Sequence, residues 1–142
     1  MIEPTAKTNE NGFRIECVVT AGKFELDGGT WAVENNIWLI GNKTEVVIID
    51  AAHDAQPIID AVANRNVSAV LCTHAHNDHI TVAPELGRRL HATVLLHPAD
   101  DMLWQKTHPD FAYWPLHDEQ RISIAGTEIK VIHTPGHSPG SS

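Results

Sequence analysis

Apolar residues follow two different periods along this chain. Phe13 to Thr20 (FRIECVVT) has strand character, and the following Lys23 to Thr30, with Gly28-Gly29, reads as a turn or loop. Trp31 to Ile40 (WAVENNIWLI) and Thr44 to Asp50 (TEVVIID) are strand-like runs separated by Gly41-Asn42-Lys43, the pattern of a hairpin. Val46 to Ile49 is continuously apolar, as in a strand buried on both faces. Over Asp54 to Asn64 the period becomes helical. Ile58, Ile59, Val62 and Ala63 share a face, Asp54 is placed as N-cap, and Pro57 falls in the first turn. Val67 to Cys72 returns to strand. The sequence strand, helix, strand predicts a βαβ unit, in which ligand sites lie beyond the carboxyl ends of the strands. Asp50 and the stretch from His74 both fall at such ends.

Further on, the pattern predicts a helix from Thr81 or Pro84 to Leu90, a strand at Thr93 to Leu96 and a short helix from near Pro98. Lys106 to Glu119 reads as a Pro- and aromatic-rich loop. Phe111 to Leu116 within it either walls a pocket or is pinned to the core by Trp114. Arg121 to Ile124 and Thr127 to Thr134 read as a strand pair turning at Ala125-Gly126. No repeat, low-complexity tract or linker interrupts the chain, so its 142 residues suit one domain, 1–142, of mixed α/β class.

Composition narrows the function. Ten Lys and Arg stand against 18 Asp and Glu, a formal net charge of −8. With no basic run there is no electrostatic footprint for nucleic acid or an anionic membrane. The polar lead Met1 to Gly12 has no apolar signal core, and no run is long enough to span a bilayer, so a cytoplasmic location is expected. Cys17 and Cys72 are too few for a disulfide framework, and Cys72 reads as a small buried hydrophobe. Ten histidines invite a metal hypothesis.

Four metal-ligand side chains crowd into Thr73-His74-Ala75-His76-Asn77-Asp78-His79, just after the apolar run ending at Cys72. On an extended backbone His74 and His76 point to one side and can reach one ion. Asp78 and His79, adjacent to each other after a turn that Asn77 tolerates, cannot simply continue that face. The loop can present them to a second ion nearby. Imidazole with carboxylate suits Zn²⁺, with Fe or Mn also compatible. His137, after the tight Pro135-Gly136 turn, resembles a ligand delivered from a second loop. His53 follows Asp50 closely but is not assigned as a ligand. His91, His97, His108 and His117 read as surface or packing residues.

His-Ala-His-Asn-Asp-His from His74 to His79 resembles the HxHxDH signature of the metallo-β-lactamase superfamily. His133-Thr-Pro-Gly-His137-Ser-Pro-Gly-Ser141 is similar to the family's HTPGH(T/S)PGS segment, and Val47-Ile-Ile-Asp50 to its strand-end aspartate. The three motifs occur in the family's order and span the chain from about Trp31 to its end. The resemblance implies an αββα sandwich, of which only the N-terminal part would be present. It implies His74, His76 and His137 as ligands of one Zn²⁺, and Asp78 and His79 as ligands of a second. Asp78 would also be catalytic, Asp50 would brace the metal loop, and His133 would not be a ligand. The family's bridging Asp and a further His would lie beyond Ser142, so the chain looks C-terminally truncated. The wording around His74 and His137 is closest to the glyoxalase II-like branch. That implies a hydrolase acting through a metal-bound hydroxide on a small acyl substrate, a thioester of a low-molecular-weight thiol. A non-haem iron persulfide dioxygenase on the same fold and a non-catalytic metal-binding fragment stand as alternatives.

Overall fold

The two periods resolve into one mixed sheet with helices on one face and a small hairpin on the other. The computed structural model describes Thr5–Thr8 and residues 12–142. The remainder of the polar lead lies outside the described residues. The strands are β1 (Thr5–Thr8), β2 (Arg14–Leu26), β3 (Gly29–Gly41), β4 (Glu45–Ile49), β5 (Asn66–Leu71), β6 (Thr93–Leu96) and β7 (Trp114–Pro115), hydrogen-bonded in that order. β1 to β4 run antiparallel to their neighbours, and β4 to β7 run parallel. Two further strands, β8 (Arg121–Ile124) and β9 (Thr127–Lys130), form a separate antiparallel pair.

The helix α1 (Ala55–Val62) connects β4 to β5, with Asp54 accepting from Gln56 N as its N-cap. The expected βαβ unit is therefore present. Asn42 Oδ1 accepts from the backbone of Thr44 and Glu45, which closes the β3–β4 hairpin where Gly41-Asn42-Lys43 predicted it. Val46 and Ile48 of β4 join the core under the helices, while Val47 belongs to the cluster on the opposite face. Burial on both faces explains the unbroken apolar run. The β4–β5 register skips Ser68, a bulge that turns both Val67 and Val70 toward the helical core.

Several boundaries differ from the sequence expectation. The stretch 23–30 is mostly strand: β2 continues to Leu26 and β3 begins at Gly29. The turn is only Asp27-Gly28, with φ of 50° and 80°, the two-residue geometry that Asp-Gly supplies cheaply. A one-turn helix α2 (Asn77–Ile80) stands where a turn at Asn77 was expected, followed by α3 (Ala83–Leu90). After Leu96 a 3₁₀ turn (Pro98–Asp100) runs straight into α4 (Asp101–Thr107), which takes in the start of the expected loop. β7 occupies its middle. Trp114 is 67% exposed, so it is not the pin; Trp104 is, at 0%, with its indole N–H donating to Phe111 O. β9 stops at Lys130 because the chain then turns into the Pro- and Gly-rich segment carrying His137.

The helical side holds the larger core, including Ile37, Leu39, Ile58, Leu86 and Trp104. On the other side Ile124 and Val131 pack against Val47, Ala69 and Leu71. No helix among the described residues is long and apolar enough to cross a membrane.

Candidate metal centre

Everything at the centre depends on how β4 and β5 end. Asp50 follows β4 with φ at 70°, a left-handed conformation that Asp tolerates better than most residues. This aims its carboxylate at the loop leaving β5. Oδ1 accepts from Thr73 N at 2.7 Å, Oδ2 accepts from the Thr73 hydroxyl at 2.8 Å, and Oδ2 meets His79 Nδ1 at 3.0 Å. Asp50 thus braces the loop and faces no ligand triangle of its own.

The Thr73 hydroxyl settles the state of His74. Its proton goes to Asp50, so its oxygen accepts from His74 Nδ1–H at 3.0 Å. The lone pair of His74 is therefore on Nε2, which is buried and has no hydrogen-bond partner. Nε2 faces two other rings. The centroids of His74, His76 and His137 are 4.8, 4.8 and 4.7 Å apart, a nearly equilateral triangle. One ligand atom from each lies within 4.8 Å of the others, as a metal ion would require. His74 is buried, His76 half-buried and His137 exposed, so the triangle opens to solvent on one side.

Asp78 and His79 lie beside the triangle with different partners. The His79 ring is 4.2 Å from that of His74, and its Nε2 is 3.6 Å from Asp78 Oδ2. With Nδ1–H donated to Asp50, the Nε2 lone pair of His79 also turns toward the site. Asp78 Oδ2 accepts from Asn35 Nδ2 at 3.0 Å, and the same amide reaches His53 Nε2 at 3.0 Å. His53 thus stands one amide away from Asp78, with Gly22 beside it: a Cβ on Gly22 would come within 2.4 Å of the ring. His133 is turned away, donating to Pro139 O and stacking on His97 at 3.9 Å. His108 donates to Ile80 O, His91 ends α3 in a left-handed conformation, and His117 is exposed.

Three contributors are not legible in sequence. Asn35 is an unremarkable residue in a strand. Asn77 looks like a turn former, yet its side chain pairs with both N–H and C=O of Glu25 and pins the β2–β3 hairpin to the metal loop. That contact sets the Phe24 ring against His76. Asp100 reads as an ordinary helix-start acid but is fully buried behind the loop.

Burial, with His79 and the two other rings of the triangle adding to it and Asp50 opposing, lowers the His74 pKa to about 4. Burial, then His137, lowers His76; burial also lowers His53, His97 and His108. His79 moves the other way. Burial works against it, but the hydrogen bond and charge of Asp50, with Asp78, outweigh burial and raise it. For the lowered groups the unfolded chain binds more protons between the folded and unfolded pKa values, so stability falls as pH drops below about 6.5. His79 contributes the opposite sign. Five lowered groups against one raised group give a net loss. Acidifying the chelator-treated chain from about pH 7 to pH 5 is expected to lower its urea midpoint; a midpoint that held or rose would contradict the neutral burial of these rings.

Comparison with known proteins agrees with this geometry. A family model described as the metallo-beta-lactamase superfamily matches residues 30–142. An uncharacterised 11.5 kDa protein from the thcD 3′ region of Rhodococcus erythropolis is 40% identical over 85 residues, covering 60% of this chain and 76% of that one. A hydroxyacylglutathione hydrolase of Aliivibrio fischeri is 32% identical over 109 residues, covering 75% of this chain and 41% of its own length. Among solved structures, BJP-1, a subclass B3 metallo-beta-lactamase of Bradyrhizobium japonicum, superposes with a TM-score of 0.67 at 19% identity, over 99% of this chain and 55% of that one. The di-zinc class B3 enzyme LRA-12 from an Alaskan soil metagenome gives 0.63 at 22%, over 75% and 48%. The chain thus spans about half or less of these longer relatives and matches the N-terminal part of their fold.

Proposed function

Because the chain belongs to the metallo-beta-lactamase superfamily, we propose that it carries the metal-binding part of a metal-dependent hydrolase acting on a small thioester or related ester. The observation that carries this reading is the buried, partnerless Nε2 of His74 at one corner of the histidine triangle. A buried lone pair with nothing to accept from is costly unless something else fills the role. His74, His76 and His137 would hold one divalent ion. An imidazole set favours Zn²⁺, in keeping with the di-zinc relative, while Fe or Mn remain compatible donors' choices. Asp78 and His79 would serve a second ion alongside. We read residues 1–142 as part of one such domain.

An ion held there would supply Lewis acidity toward water and an acyl carbonyl. The chain's own groups supply the rest. Thr73 and Asp50 hold His74 in the tautomer that presents Nε2. Asp50 does the same for His79. Asn35 ties down Oδ2 of Asp78, which leaves Oδ1 as the group that would orient a water and accept its proton. Phe24, set edge-on against His76 and flanked by Trp31, gives the mouth an apolar side for the acyl or carrier group. The thioester reading rests on the similarity to hydroxyacylglutathione hydrolases.

The test is metal content and hydrolysis of S-lactoylglutathione by the chain and by His76→Ala. We expect chelation to abolish hydrolysis. His76→Ala should lose the tightly held ion and at least about 100-fold in rate, more than a change behind the ligands would cost. Full hydrolysis by a metal-free sample would refute the reading. Iron with oxygen uptake on glutathione persulfide would point to the dioxygenase instead.

A further inference from the structure

Asp100 is 0% exposed and lies outside the ligand set, yet its carboxylate touches both loops that form the triangle. Oδ2 accepts from Ala75 N, between His74 and His76, at 2.9 Å, and from Ser138 Oγ, next to His137, at 2.7 Å. Oδ1 accepts from Gly140 N at 2.6 Å. All three partners are neutral, so a buried anion is held entirely by hydrogen-bond donors from two segments far apart in sequence. Removing it would strand two buried backbone N–H groups at once and take an acceptor from Ser138. The segment from His137 also meets the first loop through Ser142 N to Thr73 O and through the His76–His137 ring contact, and closes on itself through Ser138 and Ser141. Gly140 completes the fit: a Cβ there would stand 2.8 Å from Asp100 Cγ and 2.9 Å from its backbone N. Asp100 itself is fixed at the junction of the 3₁₀ turn and α4, beside the buried Trp104 helix. It is a rigid post for two loops.

We propose that Asp100 is the positioning residue that sets His137 in register with His74 and His76, tying the second loop to the first whether or not an ion is present. The metal-affinity part of this inference rests on the metal-binding reading above; the loop-tying part does not. Asp100→Asn keeps the volume but cannot accept from all three donors.

The experiment has two readouts. In a chelator-treated sample, Asp100→Asn should speed amide exchange at Ala75 and Gly140 together, with the β4 and β5 amides unchanged. Zinc affinity, measured by competition with a chromophoric chelator, should fall about 10–100-fold. In a His137→Ala background the same substitution should change zinc affinity less than about 3-fold, because there is no longer a third ligand to place. Ser138→Ala removes one of the three donors and should give a weaker loss in the same direction, and it serves if Asp100→Asn does not fold. Unchanged exchange at both amides, or an equal affinity loss with and without His137, would overturn the proposal. If the unsubstituted chain took up no zinc, the metal reading would fail, and the exchange data alone would decide whether Asp100 ties the loops.

Discussion

Asp50→Ala is expected to cost the chelator-treated chain at least about 3 kcal/mol and to weaken zinc binding about 10–100-fold. The carboxylate is 5% exposed and accepts from Thr73 N, the Thr73 hydroxyl and His79 Nδ1. Alanine leaves these donors without an acceptor, at about 1–3 kcal/mol for each one that stays buried. It also gives up the ease with which Asp adopts φ of 70°. The affinity loss has a distinct origin. Once the Thr73 hydroxyl has lost Asp50 it can turn its proton toward His74 Nδ1, which moves the His74 lone pair away from the triangle. Asp50→Asn tolerates the same backbone angle and keeps one acceptor, so it should recover most of the stability and less of the affinity. Urea unfolding and chelator competition on the two variants check this. If alanine cost under about 1 kcal/mol, the bracing would have to lie elsewhere.

The second large effect is remote from the site. Glu16 and Arg65 are 7% and 8% exposed and meet at 2.6 Å. Arg65 also donates to Val62 O and Ala61 O at the end of α1, joining that helix to β2. Arg65→Met alone should destabilise the fold by about 3 kcal/mol, near the low end for breaking a buried pair. The low end applies because Arg14 Nε remains 3.2 Å from the same Glu16 oxygen, though out of hydrogen-bond alignment. Glu16→Leu with Arg65→Met should recover part of that loss, since no buried charge is then stranded. A double variant as unstable as the sum of the singles would show that the pair acts through packing rather than charge.

Where the sequence was readable, one physical signal dominated each element. Hydrophobic period placed β3 to β6, α1 and α3, and Gly41-Asn42-Lys43 and Ala125-Gly126 marked their turns. The errors fell where two signals competed. Gly28-Gly29 suggested a loop, but two long strands close through Asp27-Gly28 alone because their register pairs residue by residue from Arg14 to Leu26. In the Pro- and aromatic-rich loop the aromatic cluster marks Trp114 as the pin, while Trp104, in the helix before it, fills the core. His74, His76 and His137 lie together, although no local pattern links the first two to the third. The contacts of Asn35, Asn77 and Asp100 leave no trace in the local sequence for a common reason. Each acts through a tertiary hydrogen bond to a segment at least 25 residues away, and no local pattern encodes such a partner.

The triangle joins residues 61 apart along the chain, since His76 Nδ1 and His137 Nε2 meet at 3.2 Å. An ion shared by them would also cross-link the two loops. Closing a loop of that size costs an unstructured chain about 4 kcal/mol of entropy, so ion uptake and folding would be linked as they are through a disulfide. On the ribosome, at roughly 5–20 residues per second, His76 emerges some 3–12 seconds before His137. During that interval the first two rings can hold an ion only loosely. His137 thus follows every described strand in the chain, so the order of synthesis would favour an ion entering a sheet already made.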